Sequence, residues 1–263
     1  MKIKLILVAL SLSFLSCKSY VQVYETKADN IKTIENAYVF ENDSLTITYN
    51  FWQEKGLMEF VIYNKLEVPL YIDWRKSSYV DNSVKLNYWE DVETTNALFR
   101  SYYSTSFYGM RNSSGRSTAT KSKQERITFI PPKAIYSRAQ YYLLPRTDLI
   151  LDKTDSFKEV PLYDTSKKNT KVYTKAFTKE ESPLIFRNFL TFSLTEAFNS
   201  EFYVDNQFHI SKILKMEDKH FYGKDGKLVR TRNKNLPFQD DRYFFINLAH
   251  QKKTFKVRRV HIK

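Results

Sequence analysis

Apolar and polar residues alternate with a period of two along much of this chain. In residues 44–51, Leu45, Ile47, Tyr49 and Phe51 alternate with polar side chains. Successive side chains of a β-strand point to opposite faces, so this pattern predicts an antiparallel strand with one buried face and one solvated face. Further segments of the same kind follow at turn-separated intervals: residues 57–63, 70–74, 84–89, 126–130, 184–194, 201–204, 207–214, 242–248 and 254–262.

No part of the chain shows the 3.6-residue period of an amphipathic helix. The predicted fold is therefore all-β, an antiparallel β-sandwich. We expect one principal sandwich domain over residues 41–215, followed by a basic C-terminal β extension over residues 216–263. Residues 17–40 are predicted to be a spacer, in which residues 20–24 add an edge strand.

Two polar stretches interrupt the strand pattern. Residues 101–123 are rich in Ser and Thr, contain Gly109 and Gly115, and have few large aliphatic side chains. Such a composition predicts a mobile surface loop. Residues 164–179 are similar in character, with added lysines.

The first residues form a targeting segment. Lys2 and Lys4 precede residues 5–14, an uncharged apolar run of ten residues. A helix needs about 20 such residues to cross a bilayer, so this run is too short to span one and predicts a cleaved signal peptide.

The single cysteine lies directly after that segment. Leu15-Ser16-Cys17 resembles the bacterial lipobox, in which the thiol receives a diacylglyceryl group carrying fatty acyl chains such as palmitate. This predicts a signal peptide over residues 1–16 and lipid attachment at Cys17, which would hold the mature protein on a membrane. The alternative is ordinary signal peptidase cleavage after Ser13.

Several stretches together resemble a family of uncharacterised lipoproteins from Bacteroidota. Besides the lipobox-like start and residues 20–24, they are residues 60–80, containing a Pro-Leu-Tyr-Ile-Asp-Trp phrase, residues 127–133 and residues 186–213. The resemblance covers about residues 17–215 and implies an immunoglobulin-like β-sandwich module at the bacterial cell envelope. It brings no catalytic residues with it.

Ser44 is a candidate for modification in that compartment. Asp43-Ser44-Leu45 is similar to the O-glycosylation motif of exported Bacteroidota proteins. The alternative is a plain solvent-facing hydroxyl, because Ser44 also begins a predicted strand.

Residues that carry enzymatic chemistry form no recognisable motif. Five glycines and the absence of phosphate-binding signatures argue against nucleotide chemistry. One cysteine excludes an internal disulfide and a Cys-rich zinc site, and four scattered histidines lack the spacing of metal ligands. We therefore predict no metal and no cofactor.

Aromatic residues are the best candidates for ligand binding. Aromatic rings offer a large contact area at low entropic cost, which suits stacking on a glycan or a peptide. Trp74 continues the apolar face of its strand and is assigned to the core. Trp89, Tyr102 and Tyr103 border the predicted loops and form the candidate stacking surface.

The charge of the chain is polarised. Residues 17–100 carry nine basic and thirteen acidic residues, a net charge of −4, whereas residues 101–263 carry thirty-one and sixteen, a net charge of +15. The last twelve residues hold no acid, and their candidate polyanion contacts are Lys252, Lys253, Lys256, Arg258 and Arg259.

Such basic clusters usually bind nucleic acid, but an exported protein meets other polyanions: anionic lipid, lipopolysaccharide and acidic glycans. We expect no nucleic-acid partner. The alternative is a solvated face that only keeps the protein soluble.

These observations predict a lipid-anchored envelope protein with a non-catalytic binding or assembly role. The alternative is an exported hydrolase whose carboxylates converge only in the fold. Two acids with raised pKa values in one cleft would favour the hydrolase, and exposed aromatic residues without such a cleft would favour the binding protein.

Overall fold

The computed structural model describes residues 19–91, 93–105, 111–123, 125–144, 157–161, 169–222 and 239–248. Within these ranges the chain forms seventeen β-strands and one short helix. The signal peptide, Cys17, predicted strand 254–262 and the five basic residues of the C-terminal segment lie outside the described residues.

The first eight strands are short and follow one another closely: β1 (Tyr20–Ala28), β2 (Lys32–Ile34), β3 (Ala37–Glu41), β4 (Leu45–Asn50), β5 (Leu57–Asn64), β6 (Leu70–Asp73), β7 (Ser78–Asp81) and β8 (Val84–Asn87). The remaining elements are β9 (Glu93–Thr105), β10 (Arg111–Lys123), β11 (Ile127–Ile130), β12 (Ile135–Tyr142), β13 (Phe157–Pro161), β14 (Asn169–Ala176), β15 (Ile185–Ser193), β16 (Glu201–Glu217), α1 (Asp218–Tyr222) and β17 (Tyr243–Asn247).

The strands form two main antiparallel sheets. The larger, ten-stranded sheet has the order β11-β6-β15-β16-β1-β17, with β7 also paired to β15, β8 to β7, β14 to β16 and β13 to β14. The smaller sheet has the order β12-β5-β4-β3-β2. The predicted all-β antiparallel sandwich is confirmed.

The core between the sheets is built largely from aromatic rings. Phe208 of β16 lies at its centre, with ring centroids 4.9 Å from Tyr49, 5.1 Å from Phe51 and 5.2 Å from Phe186. Ile47, Phe60, Ile62 and Trp74 are also fully buried there, as the alternation of their strands predicts. Trp74 therefore belongs to the core, as the sequence indicated.

A second, smaller cluster covers the outer face of the larger sheet at one end. Val21 and Val23 of β1 pack there with Met216 and with Phe221 of α1. The partly buried Trp52 packs against this cluster. Both faces of β1 are therefore buried.

Strands near both ends of the described chain belong to the larger sheet, and the predicted domain boundaries stay a prediction. Residues 20–28, expected within a spacer with an edge strand, form β1, which lies between β16 and β17. Residues 243–247, expected in a separate C-terminal extension, form β17 and pair with β1. Because β1 pairs with β16 on one side and with β17 on the other, it is an interior strand, and the second cluster covers its outer face.

The predicted mobile loop is also different in the structure. Residues 93–105 and 111–123 form strands β9 and β10, whose ladder runs in unbroken register from Glu93 opposite Lys123 to Thr105 opposite Arg111. The prediction of a loop was wrong because the Ser- and Thr-rich composition lacks an apolar alternation. A two-stranded ladder needs no buried face for its backbone pairing, and Thr is well suited to strands.

Candidate functional site

A cleft opens where the edges of the two main sheets meet. Strand β11 ends the larger sheet, β12 ends the smaller one, and residues 131–134 join them. The cleft has a volume of about 520 Å³. Its lining residues come from three separate parts of the chain: Trp74, Glu125, Thr128, Tyr136, Arg138, Ala139 and Gln140.

Arg138 and Trp74 form the floor of this edge cleft. The guanidinium carbon of Arg138 lies 4.1 Å from the centre of the Trp74 ring and 5.3 Å from that of Tyr88. Cation–π contacts of this kind contribute about 2 kcal/mol when shielded from water. The Trp74 indole N–H donates to Thr128 Oγ1 at 2.7 Å, which fixes the ring.

Hydrogen bonds hold the Arg138 side chain in one orientation. Nη2 donates to the carbonyl oxygen of Tyr88 and to Oε1 of Gln140, both at 2.6 Å, and Nε donates to the same Oε1 at 3.0 Å. Within the described chain, Nη1 of Arg138 and the carboxylate of Glu125 have no hydrogen-bond partner. The cleft therefore offers a fixed cationic donor and an anionic acceptor to a polar ligand.

Asp73 anchors the strand end that carries Trp74. Its carboxylate is fully buried and accepts hydrogen bonds from Arg126 Nη2 at 2.7 Å and from the backbone N–H of Arg75 at 3.0 Å. Burial opposes ionisation, but these hydrogen bonds and the Arg126 charge outweigh it, so the pKa of Asp73 lies below its usual value. The residue stays ionised and holds the turn after β6 in place.

A buried hydrogen-bond network fixes the hydroxyl group of Tyr88, whose ring contacts Arg138. The Tyr88 hydroxyl donates to Asn188 Oδ1 at 2.8 Å, and the amides of Asn188 and Asn206 donate to the Tyr49 hydroxyl at 3.2 and 2.8 Å. Burial raises the pKa of both tyrosines, which are neutral donors at physiological pH. The network joins the two sheets across the core.

The remaining acids do not converge on the cleft. Asp241 has a raised pKa because of burial and the neighbouring Asp240. Asp240 forms an ion pair with Arg242 at 2.6 Å, and neither acid lines the edge cleft. In the described part of the chain, no group of three or more His, Cys, Asp or Glu residues could hold a metal ion.

His209 is buried on the outer face of the larger sheet. Its Nδ1 lies 3.9 Å from Asp29 Oδ1 and has no hydrogen-bond partner among the described residues. Burial lowers its pKa, so the imidazole is neutral at neutral pH.

The sequence-predicted site residues are found in different parts of the chain. Trp89 lies partly buried against the main core. Tyr102 and Tyr103 are in β9, opposite Ser114 and Ser113 of β10, and their stacking role stays a prediction. The backbone N–H of Ser44 donates to Asn42 Oδ1 at 2.9 Å in a turn, and its glycosylation also stays a prediction.

Sequence reasoning missed the edge cleft because strand β12 was not predicted. The polar residues Arg138 and Gln140 occupy its inward positions, whereas Ile135 is 69% exposed. Charged residues at inward positions are typical of edge strands. Polar residues at inward positions and an apolar residue at an outward position are the sequence feature that could have indicated this edge strand.

The two ends of the described chain meet at one end of the larger sheet. In the β1–β17 ladder Val21 lies opposite Asn247, and the N–H of Leu248 donates to the carbonyl of Tyr20 at 2.9 Å. Helix α1 joins them through the N–H of Asp218, which donates to the carbonyl of Ser19 at 3.0 Å. Within the described ranges no helix is long and apolar enough to cross a membrane.

The resemblance to Bacteroidota lipoproteins rests on the sequence phrases alone and stays a prediction. No protein-family model, no curated protein and no solved structure matches this chain.

Proposed function

We propose that this chain is a lipid-anchored binding protein of the bacterial cell envelope. The lipid on Cys17 and the basic C-terminal segment hold one end of the sandwich against a membrane. The opposite end presents the edge cleft to a ligand. Its role is binding or assembly, without catalysis.

The observation that carries this proposal is the pairing of β1 with β17. Cys17 precedes Tyr20, the first residue of β1, by three positions, and the basic residues Lys252 to Arg259 follow soon after Leu248. Because the ladder is antiparallel, Tyr20 and Leu248, the described residues nearest to Cys17 and to the basic segment in sequence, lie at the same end of the sheet. Stable membrane attachment takes two such signals, and a basic patch beside one lipid anchor supplies the second.

Strand β16 separates that anchored end from the cleft. Its last residue, Glu217, pairs with Tyr20, whereas its first residue, Glu201, forms an ion pair with Lys76 in the turn that follows Trp74. Seventeen residues of extended strand span about 50 Å. This length supports a cleft that faces away from the membrane.

The cleft favours binding over hydrolysis. A hydrolase of the kind considered above needs two carboxylates close together. Glu125 is the one acid among the cleft residues that the structure describes, and its neighbours there are an arginine, an amide and aromatic rings.

We expect Cys17→Ala to release the protein from membranes or to stall its processing. The thiol is the acceptor of the lipid, so its removal leaves only the charge attraction, about 1 kcal/mol per basic residue near an anionic surface. Membrane fractionation at physiological salt, with mass spectrometry of the mature N-terminus, measures the change. A mature parent protein that begins at Phe14 would establish cleavage after Ser13 and contradict the anchor.

A second variant tests whether the basic C-terminal segment binds anionic membranes. Replacing Lys252, Lys253, Lys256, Arg258 and Arg259 with Gln in the Cys17→Ala background should abolish residual binding to anionic vesicles. High salt should do the same to the parent segment, because it shortens the Debye length below about 8 Å. Equal vesicle binding with and without the five basic residues would leave that segment without a membrane role.

A single labelled thiol tests the orientation. In the acylated protein the Cys17 thiol cannot react with a label, so an introduced cysteine is the labelled site. Ala139→Cys, at an exposed position, places the label at the cleft, and Lys219→Cys, at an exposed position in α1, places it at the anchored end. In vesicles that carry a headgroup quencher, we expect fluorescence loss at position 219 and almost none at position 139. Equal quenching at the two positions would show that the cleft does not face away from the membrane.

A further inference from the structure

Four aromatic side chains lie on the outer face of the larger sheet, at the end far from the anchor. Phe129 of β11 and Tyr203 of β16 are 52% and 69% exposed. Phe129 forms an edge-to-face pair with Tyr71 at 5.7 Å, and Tyr203 stacks on Phe189 at 5.4 Å. We refer to these four residues as the aromatic face.

Strand register makes these two pairs neighbours. Tyr71 pairs with Phe129 on one side and with Ser193 on the other, and Ser193 pairs with Glu201, two residues before Tyr203. Tyr203 lies two strands away from Tyr71 across the sheet and two residues further along the strand direction. These spacings place the two Cα atoms about 12 Å apart. The two aromatic pairs therefore lie on the same face of the sheet, about 12 Å apart.

Two ion pairs lie beside these rings. Lys76 forms an ion pair with Glu201, next to Tyr203 in the register. Arg187 Nε donates to Asp205 Oδ1 at 3.0 Å, beside Phe189. Each of these two ion pairs adds no net charge beside the rings, although the whole protein has a formal net charge of +13.

That combination selects a particular ligand chemistry. Exposed rings stabilise a partner with flat apolar surfaces, and paired charges supply donors and acceptors for hydroxyl groups without attracting net charge. A polyanion would have to break the Arg187–Asp205 and Lys76–Glu201 pairs to gain its attraction. A purely apolar partner would bury those ion pairs at a desolvation cost.

We propose that the aromatic face binds a neutral polysaccharide, with pyranose rings stacked on Tyr203 and Phe129. The ion pairs beside the aromatic rings, Lys76–Glu201 and Arg187–Asp205, donate hydrogen bonds to sugar hydroxyls and accept hydrogen bonds from them. This site goes beyond the proposed function: it is separate from the edge cleft, which lies on the other side of β11, and does not depend on the lipid anchor.

Affinity electrophoresis of the purified full-length protein tests this proposal. Native gels containing glucan, mannan, galactan or xylan are compared with gels that contain no polysaccharide. The parent should be retarded by at least one of these neutral polymers, and Tyr203→Ala with Phe129→Ala should weaken the retardation at least tenfold. Tyr142→Ala is the matched control, since Tyr142 is an exposed tyrosine outside the aromatic face, and it should behave as the parent.

Three results would overturn the proposal. One is a parent that none of the neutral polymers retards. Another is retardation by acidic polysaccharides alone that disappears with salt, which would assign binding to the basic segment. The third is a double variant that binds as the parent does, or that changes only self-association, which would make the face a protein contact. Thermal melting of each variant confirms that it is folded, and Cys17→Ala should leave the retardation unchanged.

Discussion

A chain trimmed to residues 41–215 is expected to be unfolded, although the alternating pattern places all of its strongest strands there. Trimming removes β1, β2, all of β3 except Glu41, α1 and β17, and with them the Tyr24 ring that stacks on Phe244 at 4.7 Å. Val21, Val23 and Ile246 are lost from the two clusters as well. Burial of each such side chain stabilises a fold by about 1.5–3 kcal/mol, so the total is comparable to the 5–15 kcal/mol that stabilises a whole domain.

Far-UV circular dichroism and urea unfolding of the trimmed chain measure this effect. The control is the mature chain ending at Leu248, which keeps every described strand and should unfold in one cooperative transition. A cooperative transition of the 41–215 chain would show that β1 and β17 are dispensable attachments.

Phe208→Ala should lower the free energy of unfolding by about 3–5 kcal/mol, because it leaves a ring-sized cavity at the centre of the core. Phe208 is fully buried and contacts rings of both sheets, among them Tyr49 at 4.9 Å and Phe186 at 5.2 Å. Those neighbours are held by strand pairing and cannot all move in to fill the space. The midpoint of urea unfolding, at unchanged slope, reports the loss.

Phe129→Ala is the matched control for that measurement. It removes the same side chain from a half-exposed position on the aromatic face, so its effect should stay below about 1 kcal/mol. Equal effects of the two substitutions would contradict the central place of Phe208 in the core.

The strand alternation was sufficient to predict the sandwich, because each of its central strands has one buried and one solvated face. Strands β4, β5 and β15 begin and end within one residue of the predicted segments. Two segments predicted separately, 201–204 and 207–214, form the single strand β16. Their alternation continues through the intervening residues. The prediction therefore had the correct type of element, a strand, and the wrong boundaries.

Strand β1 shows why an interior strand could not be told from an edge strand by sequence alone. Its residues are buried on both faces, since Tyr24 points to the main core and Val21 and Val23 to the second cluster. The cover on the outer face includes Phe221 of α1, about 200 residues later in the chain. A local pattern cannot show that a distant segment covers a strand.

The sequence by itself determined the fold class, because alternation with a period of two reports the strand geometry of each segment directly. The tertiary structure alone decided the sites. Arg138 meets Trp74, and Tyr71 meets Ser193, only through pairing of strands that are far apart in sequence. Such pairing depends on register and on which edge is left open, and neither leaves a trace in the local periodicity.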